Sequence, residues 1–363
     1  MKHLDEFRDP ALARALLARI QGRSTRPVRL MEFCGGHTHA ILRYGLRTLL
    51  PPTLDLRSGP GCPVCVTSNA DLDRAMALSR MPGLILTTFG DMLRVPGSTQ
   101  SLQDAKAAGA DVRIVYSTLD ALQIARDHPA RPVVFLGVGF ETTAPTIAVA
   151  ILQAQSEGLD NFSVLSLHKL TPPATRAILD AGEVALDGII GPGHVTTIIG
   201  ADAWEFLPAE YRVPVAIAGF EPVDILRAVA DLVDMAEDGL PAVANSYARS
   251  VTRQGNSSAL AVMDRVFGVC AADWRGLGVV PASGLSIRTD LARFDAACIF
   301  DLHPGPTREH KGCRCGDVLR GTVTPPECPL FDRACSPARP IGPCMVSAEG
   351  ACAAHYQFGR DLP

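Results

Sequence analysis

Apolar residues gather in short blocks along this chain, each closed by glycine or a polar turn and followed by a stretch of helical period. The blocks are Val28–Phe33, Leu54–Ser58, Leu84–Thr88, Val112–Tyr116, Val133–Val138, Phe162–Leu167, Gly188–Ile190 and Val215–Ala218. Such alternation predicts an α/β fold of parallel strands joined by crossover helices. Eight strands could close into one barrel or divide into two four-stranded sheets. An internal likeness favours two sheets. Asp55–Cys62 (DLRSGPGC) resembles Asp187–His194 (DGIIGPGH), and each is preceded by a strand end with a polar ligand, Cys34 or His168. Each is also followed by a strand running into a Phe-containing turn, Thr87–Asp91 or Ala218–Pro222. Stations in the same order predict two similar parallel-sheet domains facing a cleft, where open sheets of this class bind ligands.

Outside this region the pattern changes. Residues 4–22 read as an amphipathic helix, with Leu4, Phe7, Ala11, Leu12, Ala15, Leu16 and Ile20 near helical spacing. Residues 245–285 read as a long connector helix after an Asn/Gly turn. From Phe300 onward apolar periodicity fades among prolines, glycines and cysteines. A segment of that kind cannot bury enough core to fold unaided, so a metal cluster is expected to hold it. The expected plan is an N-terminal helix over 1–24 packed on another domain, α/β domains over 25–130 and 131–245, and a connector with a Cys-rich domain over 246–363.

Composition narrows the function. The 363 residues are 47% hydrophobic and 20% charged, with net charge −4, which gives no basic surface for nucleic acid. No run is apolar over the length a membrane span needs, and the N-terminus lacks a signal-peptide core, so a cytoplasmic protein is expected. Eleven cysteines then need a reason. In a reducing compartment metal binding or thiol redox chemistry explains them better than structural disulfides. Three lie by residue 65, none follows until Cys270, and six fall between Cys313 and Cys352.

Leu30–Cys65 carries the first concentration. Two strand ends run into glycine turns, one offering Cys34, His37 and His39, the other the Cys62-x-x-Cys65 pair. Gly35, Gly36 and their counterparts let backbone N–H groups turn toward a ligand and let a bulky group approach. Taken singly, each cysteine reads as a small buried hydrophobe; the set points to a metal or redox centre. Cys62 and Cys65 stand between a strand and a helix, as in thioredoxin-like pairs, where the helix N-terminus favours the thiolate. The turn Gly137–Thr146 (GVGFETTAPT) lacks the glycines and G-K-[ST] of a nucleotide loop. Its Glu141, Thr142 and Thr143, with His194, are candidate ligand contacts, although helix capping explains the first three equally well.

In the tail, Cys328, Cys335, Cys344 and Cys352 are separated by six, eight and seven residues. Structural zinc sites favour tight C-x2–4-C knuckles. Open spacing suits a cubane iron–sulfur cluster, which accepts thiolates from several directions. Cys313 and Cys315 would then remain as an auxiliary dithiol, or one of them replaces a later cysteine as a ligand.

CGGHTHA at Cys34–Ala40, GPGCPVC at Gly59–Cys65, GFETTAPT at Gly139–Thr146 and the tail from CRCGDVL to GPCMVSAEGAC resemble the HypD-type hydrogenase maturation proteins. The resemblance implies a scaffold for the iron centre of [NiFe] hydrogenase, an iron carrying two cyanides and one carbon monoxide. It implies one [4Fe-4S] cluster, a small HypC-type chaperone, a HypE-type cyanide donor, and the hydrogenase large subunit as an indirect partner. Cys34 matches the thiolate that holds the iron, with His37 beside it, and Cys62 and Cys65 match a redox-active pair. Cys328, Cys335, Cys344 and Cys352 match cluster ligands, with Cys313 and Cys315 as a nearby dithiol. Two other readings remain: a cluster-dependent thiol–disulfide reductase that has no need of Cys34, and a zinc-stabilised binding protein without redox function.

Overall fold

The computed structural model describes residues 5–303 and 305–360. All eight expected strands form: β1 (Val28–Glu32), β2 (Leu54–Ser58), β3 (Ile85–Thr88), β4 (Val112–Ile114), β5 (Val133–Gly137), β6 (Phe162–Ser166), β7 (Gly188–Pro192) and β8 (Val215–Ala218). A ninth, β9 (Val243–Asn245), joins them. They make two parallel sheets, as expected of the α/β class.

Sheet membership differs from the expected division. One sheet has the order β2-β1-β7-β8-β9 and the other β4-β3-β5-β6. A cut at residue 130 therefore falls inside the second sheet, between β4 and β5. The chain leaves the first sheet after β2, builds the second, and returns with β7 beside β1, where Leu30 pairs with Gly188. Stations that match in sequence thus do not match in space: Cys34 follows β1 in one sheet and His168 follows β6 in the other. Apolar periodicity predicts strands but carries no information about which strand each will pair with.

Side chains alternate across the first sheet as the pleat requires. Leu30, Ile190 and Ala216 face a layer made by helices Pro10–Arg23, Gly35–Arg43 and Pro222–Asp238. Met31, Ile189, Val215 and Ile217 face the opposite way, into a core that includes Cys62, Cys65, Trp204, Trp274, Cys315, Cys344 and Cys352. The cysteine tail is thereby the second layer on that face. The N-terminal helix begins at Pro10, since proline is tolerated at a first turn but not in a helix interior. Asp9 caps it, accepting from the Ala11 N–H at 2.7 Å. Leu4, the first residue of the expected helix, lies outside the described residues.

The stretch expected as a long connector helix is helical only over Ser257–Val266. It continues as an antiparallel hairpin, β10 (Phe267–Trp274) and β11 (Gly278–Ile287). Beyond it the tail holds only short helical turns before a last helix, Ala351–Phe358, in keeping with the expected scarcity of regular structure. No helix among the described residues is long and apolar enough to cross a membrane.

Candidate metal and thiol centre

The loops that leave the C-terminal ends of β1, β2, β7 and β8 meet over the edge of the first sheet. Glycine makes the meeting possible. The Gly35 N–H donates to the Gly61 carbonyl at 3.0 Å, and a Cβ on Gly61 would stand 2.3 Å from the Cys34 nitrogen. Cys34 and the Cys62–Cys65 pair thus occupy touching loops. Cys34 ends β1 and stands at the N-cap of helix Gly35–Arg43. Burial, reinforced by Glu349 nearby, pushes its thiol up to about 12, so it keeps its proton until a cation displaces it.

His37 lies one turn into that helix and is fully buried. Its Nε2 donates to the carbonyls of Ala218 and Gly219, at 3.2 and 3.1 Å, so the proton sits on Nε2 and Nδ1 presents a lone pair. Nδ1 has no protein partner among the described residues. Burial holds this imidazole down at about 4, which keeps it neutral. A neutral Nδ1 is an acceptor and presents its lone pair without a protein donor among the described residues. Phe220 is sandwiched between His37 and His194, at ring distances of 4.7 and 3.9 Å. His39, read with His37 from sequence, turns away: its ring meets Phe358 edge-on, on the tail helix.

Gly35 and Gly36 serve close packing. A Cβ on Gly35 would lie 2.2 Å from the Glu349 carbonyl oxygen, and one on Gly36 would lie 2.9 Å from the Phe220 ring. Glu141 is buried and binds the start of helix Thr171–Ala181 through the Thr171 N–H at 2.7 Å. Burial raises its carboxyl to about 7. Thr143 donates to the Phe140 carbonyl, and Thr142 is exposed. This loop therefore reads as capping and support, with Phe140 stacked on Trp274 beneath the thiols.

Cys62 and Cys65 are joined as a disulfide, with Cys62 at the N-cap of the one-turn helix Pro63–Val66. That turn packs on Pro343–Met345, where the Cys65 sulfur lies 4.0 Å from the Pro343 carbonyl. The next residue, Cys344, brings its sulfur to 2.7 Å from Cys315. The structure pairs Cys315 with Cys344 rather than with Cys313. The contact draws the Cys315 thiol down and pushes Cys344 up. All six tail cysteines line one small cavity with Leu330, Phe331 and Met345. Gly342 makes room there, since a Cβ would meet the Cys313 sulfur at 2.6 Å. Among the described residues no three His, Cys, Asp or Glu side chains are grouped to hold a single metal ion.

Sequence reasoning missed Glu32 and Glu349. Glu32 is buried at the end of β1; its carboxylate accepts the Cys34 N–H at 3.1 Å and the Thr38 hydroxyl, and burial raises it to about 8. An acidic residue inside an apolar strand, two before Cys34, was the available signal. Glu349 lies in the loop before the last helix and touches Gly35, with nothing in its local sequence to mark it.

The HypD family model, described as the hydrogenase formation hypA family, matches residues 11–359. The hydrogenase maturation factor HypD of Azotobacter vinelandii is 52% identical, over 99% of this chain and 97% of its own. HypD of Cupriavidus necator is 49% identical over 100% and 99% of the two chains, and HypD of Escherichia coli 43% identical over 99% and 98%. With the cysteines of the matching motifs gathered on one face of one sheet, this chain belongs to the HypD family of hydrogenase maturation factors.

Proposed function

We propose that this protein is a cytoplasmic scaffold on which the iron of a [NiFe]-hydrogenase centre receives its cyanide and carbon monoxide ligands. The observation that carries the reading is the contact of two loops: Cys34, a protonated and partly accessible thiol, abuts the loop of a redox pair, Cys62–Cys65. Iron is substrate here. It displaces the Cys34 proton, a soft thiolate suits a low-spin iron with strong-field ligands, and a cysteine of a HypC-type chaperone completes the hold. Cyanide arrives from a HypE-type partner, and the finished group leaves through the chaperone toward the hydrogenase large subunit.

The tail fits a [4Fe-4S] cluster, because its six cysteines surround one apolar cavity. With Cys315 committed to Cys344, the residues that would hold the cluster are Cys313, Cys328, Cys335 and Cys352. This set differs from the one read from spacing, in which Cys344 stood in place of Cys313. When bound, such a cluster would supply single electrons. The chain's own residues then order the thiols: Cys315–Cys344 lies between the cavity and Pro343, and Pro343 touches Cys65. Glu32 fixes the Cys34 backbone, and Phe220 stacks with His37 and His194 beside it.

The test is anaerobic co-expression with the small chaperone, followed by infrared spectroscopy of the cyanide and carbon monoxide stretching region. Bands in wild type that vanish in Cys34→Ala are expected. Cluster-containing protein without bands in either form would favour the thiol–disulfide reductase, and zinc in place of iron would overturn both.

A further inference from the structure

A cleft of about 670 Å³ ends on Cys313, Cys315, Gly342 and Pro343, and iron holding makes no use of it. Its walls carry Arg94, Arg275, Arg308 and His310 against two carboxylates, Asp104 and Glu309. Both carboxylates are engaged. Glu309 pairs with Arg275 at 2.6 Å, and Asp104 closes a capping box with Ser101. Arg94 donates only to the carbonyls of Pro337 and Val346, and the Arg308 side chain makes no ion pair or hydrogen bond among the described residues. The cleft thus carries more guanidinium than carboxylate groups, has a volume that suits a small ligand, and has the Cys315 sulfur at its end.

We propose that this cleft binds an anionic low-molecular-weight thiol of the glutathione class, which reduces the Cys315–Cys344 pair after it has been oxidised. The proposal rests on the reading of that pair as a relay. The two sulfurs stand 2.7 Å apart, so little movement closes the bond. The bound thiolate attacks the Cys315 sulfur, the Cys315–Cys344 bond breaks, and Cys344 leaves as a thiolate. A second thiol attacks the outer sulfur of the mixed disulfide and releases the small-molecule disulfide and the Cys315 thiolate. Two thiols lose two electrons and two protons; Cys315 and Cys344 gain both.

The test uses the oxidised full-length chain, with thiols at Cys315 and Cys344 counted by alkylation and mass spectrometry. Glutathione is expected to reduce the pair with saturation and about tenfold faster than neutral 2-mercaptoethanol, after correction for intrinsic reactivity. Arg308→Glu, at an exposed side chain with no ion pair among the described residues, should abolish both the saturation and the advantage. Equal rates for the two thiols, or an advantage that survives Arg308→Glu, would overturn the proposal. So would reduction by an acidic electron-carrier protein but not by glutathione. S-methylglutathione, which cannot exchange, should bind wild type and not Arg308→Glu by calorimetry; no binding to wild type overturns the cleft assignment. Failure of Cys315 and Cys344 to link under oxidation would remove the relay reading and the exchange step together. Binding of S-methylglutathione would still decide the cleft by itself.

Discussion

At Cys34 the surroundings favour a neutral thiol, and that has a measurable consequence. Because burial raises this group to about 12, a metal ion must displace a proton to bind. Iron(II) binding in the presence of the chaperone should therefore release a proton from Cys34 and tighten as pH rises across neutrality. Calorimetry in buffers of different ionisation enthalpy counts the protons, and the Cys34→Ala protein should release fewer. Gly36 makes a second case. A methyl group there meets the Phe220 ring, which is itself clamped between His37 and His194. Gly36→Ala should cost about 1–3 kcal/mol of stability by overpacking, read by urea denaturation, and should weaken iron loading; unchanged values would show that the ring moves freely. Cys34, Cys62 and Cys65 were legible because glycine flanks them at strand ends. Glu32 was less so: a single carboxyl in an apolar strand reads as a solvent-facing position until the loop of β2 is seen to cover it.

Among the elements, the eight strands β1 to β8 were read almost residue for residue and their partners were not. A strand's own periodicity reports burial of its faces, while pairing depends on where crossover helices return the chain. The hairpin β10–β11 was read as helix for a related reason. Its outer face exposes Val269 and Val279, which blurs the alternation expected of a half-buried ribbon. Elements also meet through single polar groups. Glu141 joins the loop after β5 to the helix Thr171–Ala181, and burial lifts its carboxyl from 4.5 to about 7. A raised carboxyl favours the folded state fully below the unfolded value and loses that contribution as pH rises to about 7. Relative to Glu141→Gln, wild type should therefore lose stability between pH 4.5 and 7. A stability difference that stays flat across this range would show that the carboxyl is already ionised in the fold. His37 works in the opposite sense: held at about 4, it contributes above 6.5 and loses that contribution on acidification.

The whole molecule is held together by contacts between segments far apart in sequence. Helix Pro10–Arg23 lies along helix Pro222–Asp238, and buried Asp224 takes both arms of Arg249 at 2.6 and 2.7 Å. Arg249→Ala leaves that carboxylate unpaired and should cost about 3–5 kcal/mol in a denaturant titration. The tail, though poor in regular structure, completes the core on one face of the first sheet, so its cysteines stand next to Cys62 and Cys65. That placement could not be read from spacing, because the tail packs on Met31 of β1, Ile189 of β7 and Val215 of β8, all on strands far earlier in the chain and beyond the reach of any local pattern. Cys344→Ala should keep a cluster that Cys313→Ala loses; the reverse would restore the set read from spacing. Most directly, a scaffold of this kind carries two separate iron loads on one chain, the cluster and the iron held by Cys34. Mössbauer spectroscopy of anaerobic protein with its chaperone should show cluster iron and one further low-spin iron in wild type. Cys34→Ala should lose only the low-spin iron, and Cys335→Ala should lose the cluster signal. If the low-spin iron persists in Cys34→Ala, Cys34 does not hold it and the protein is not an iron scaffold built on that thiolate.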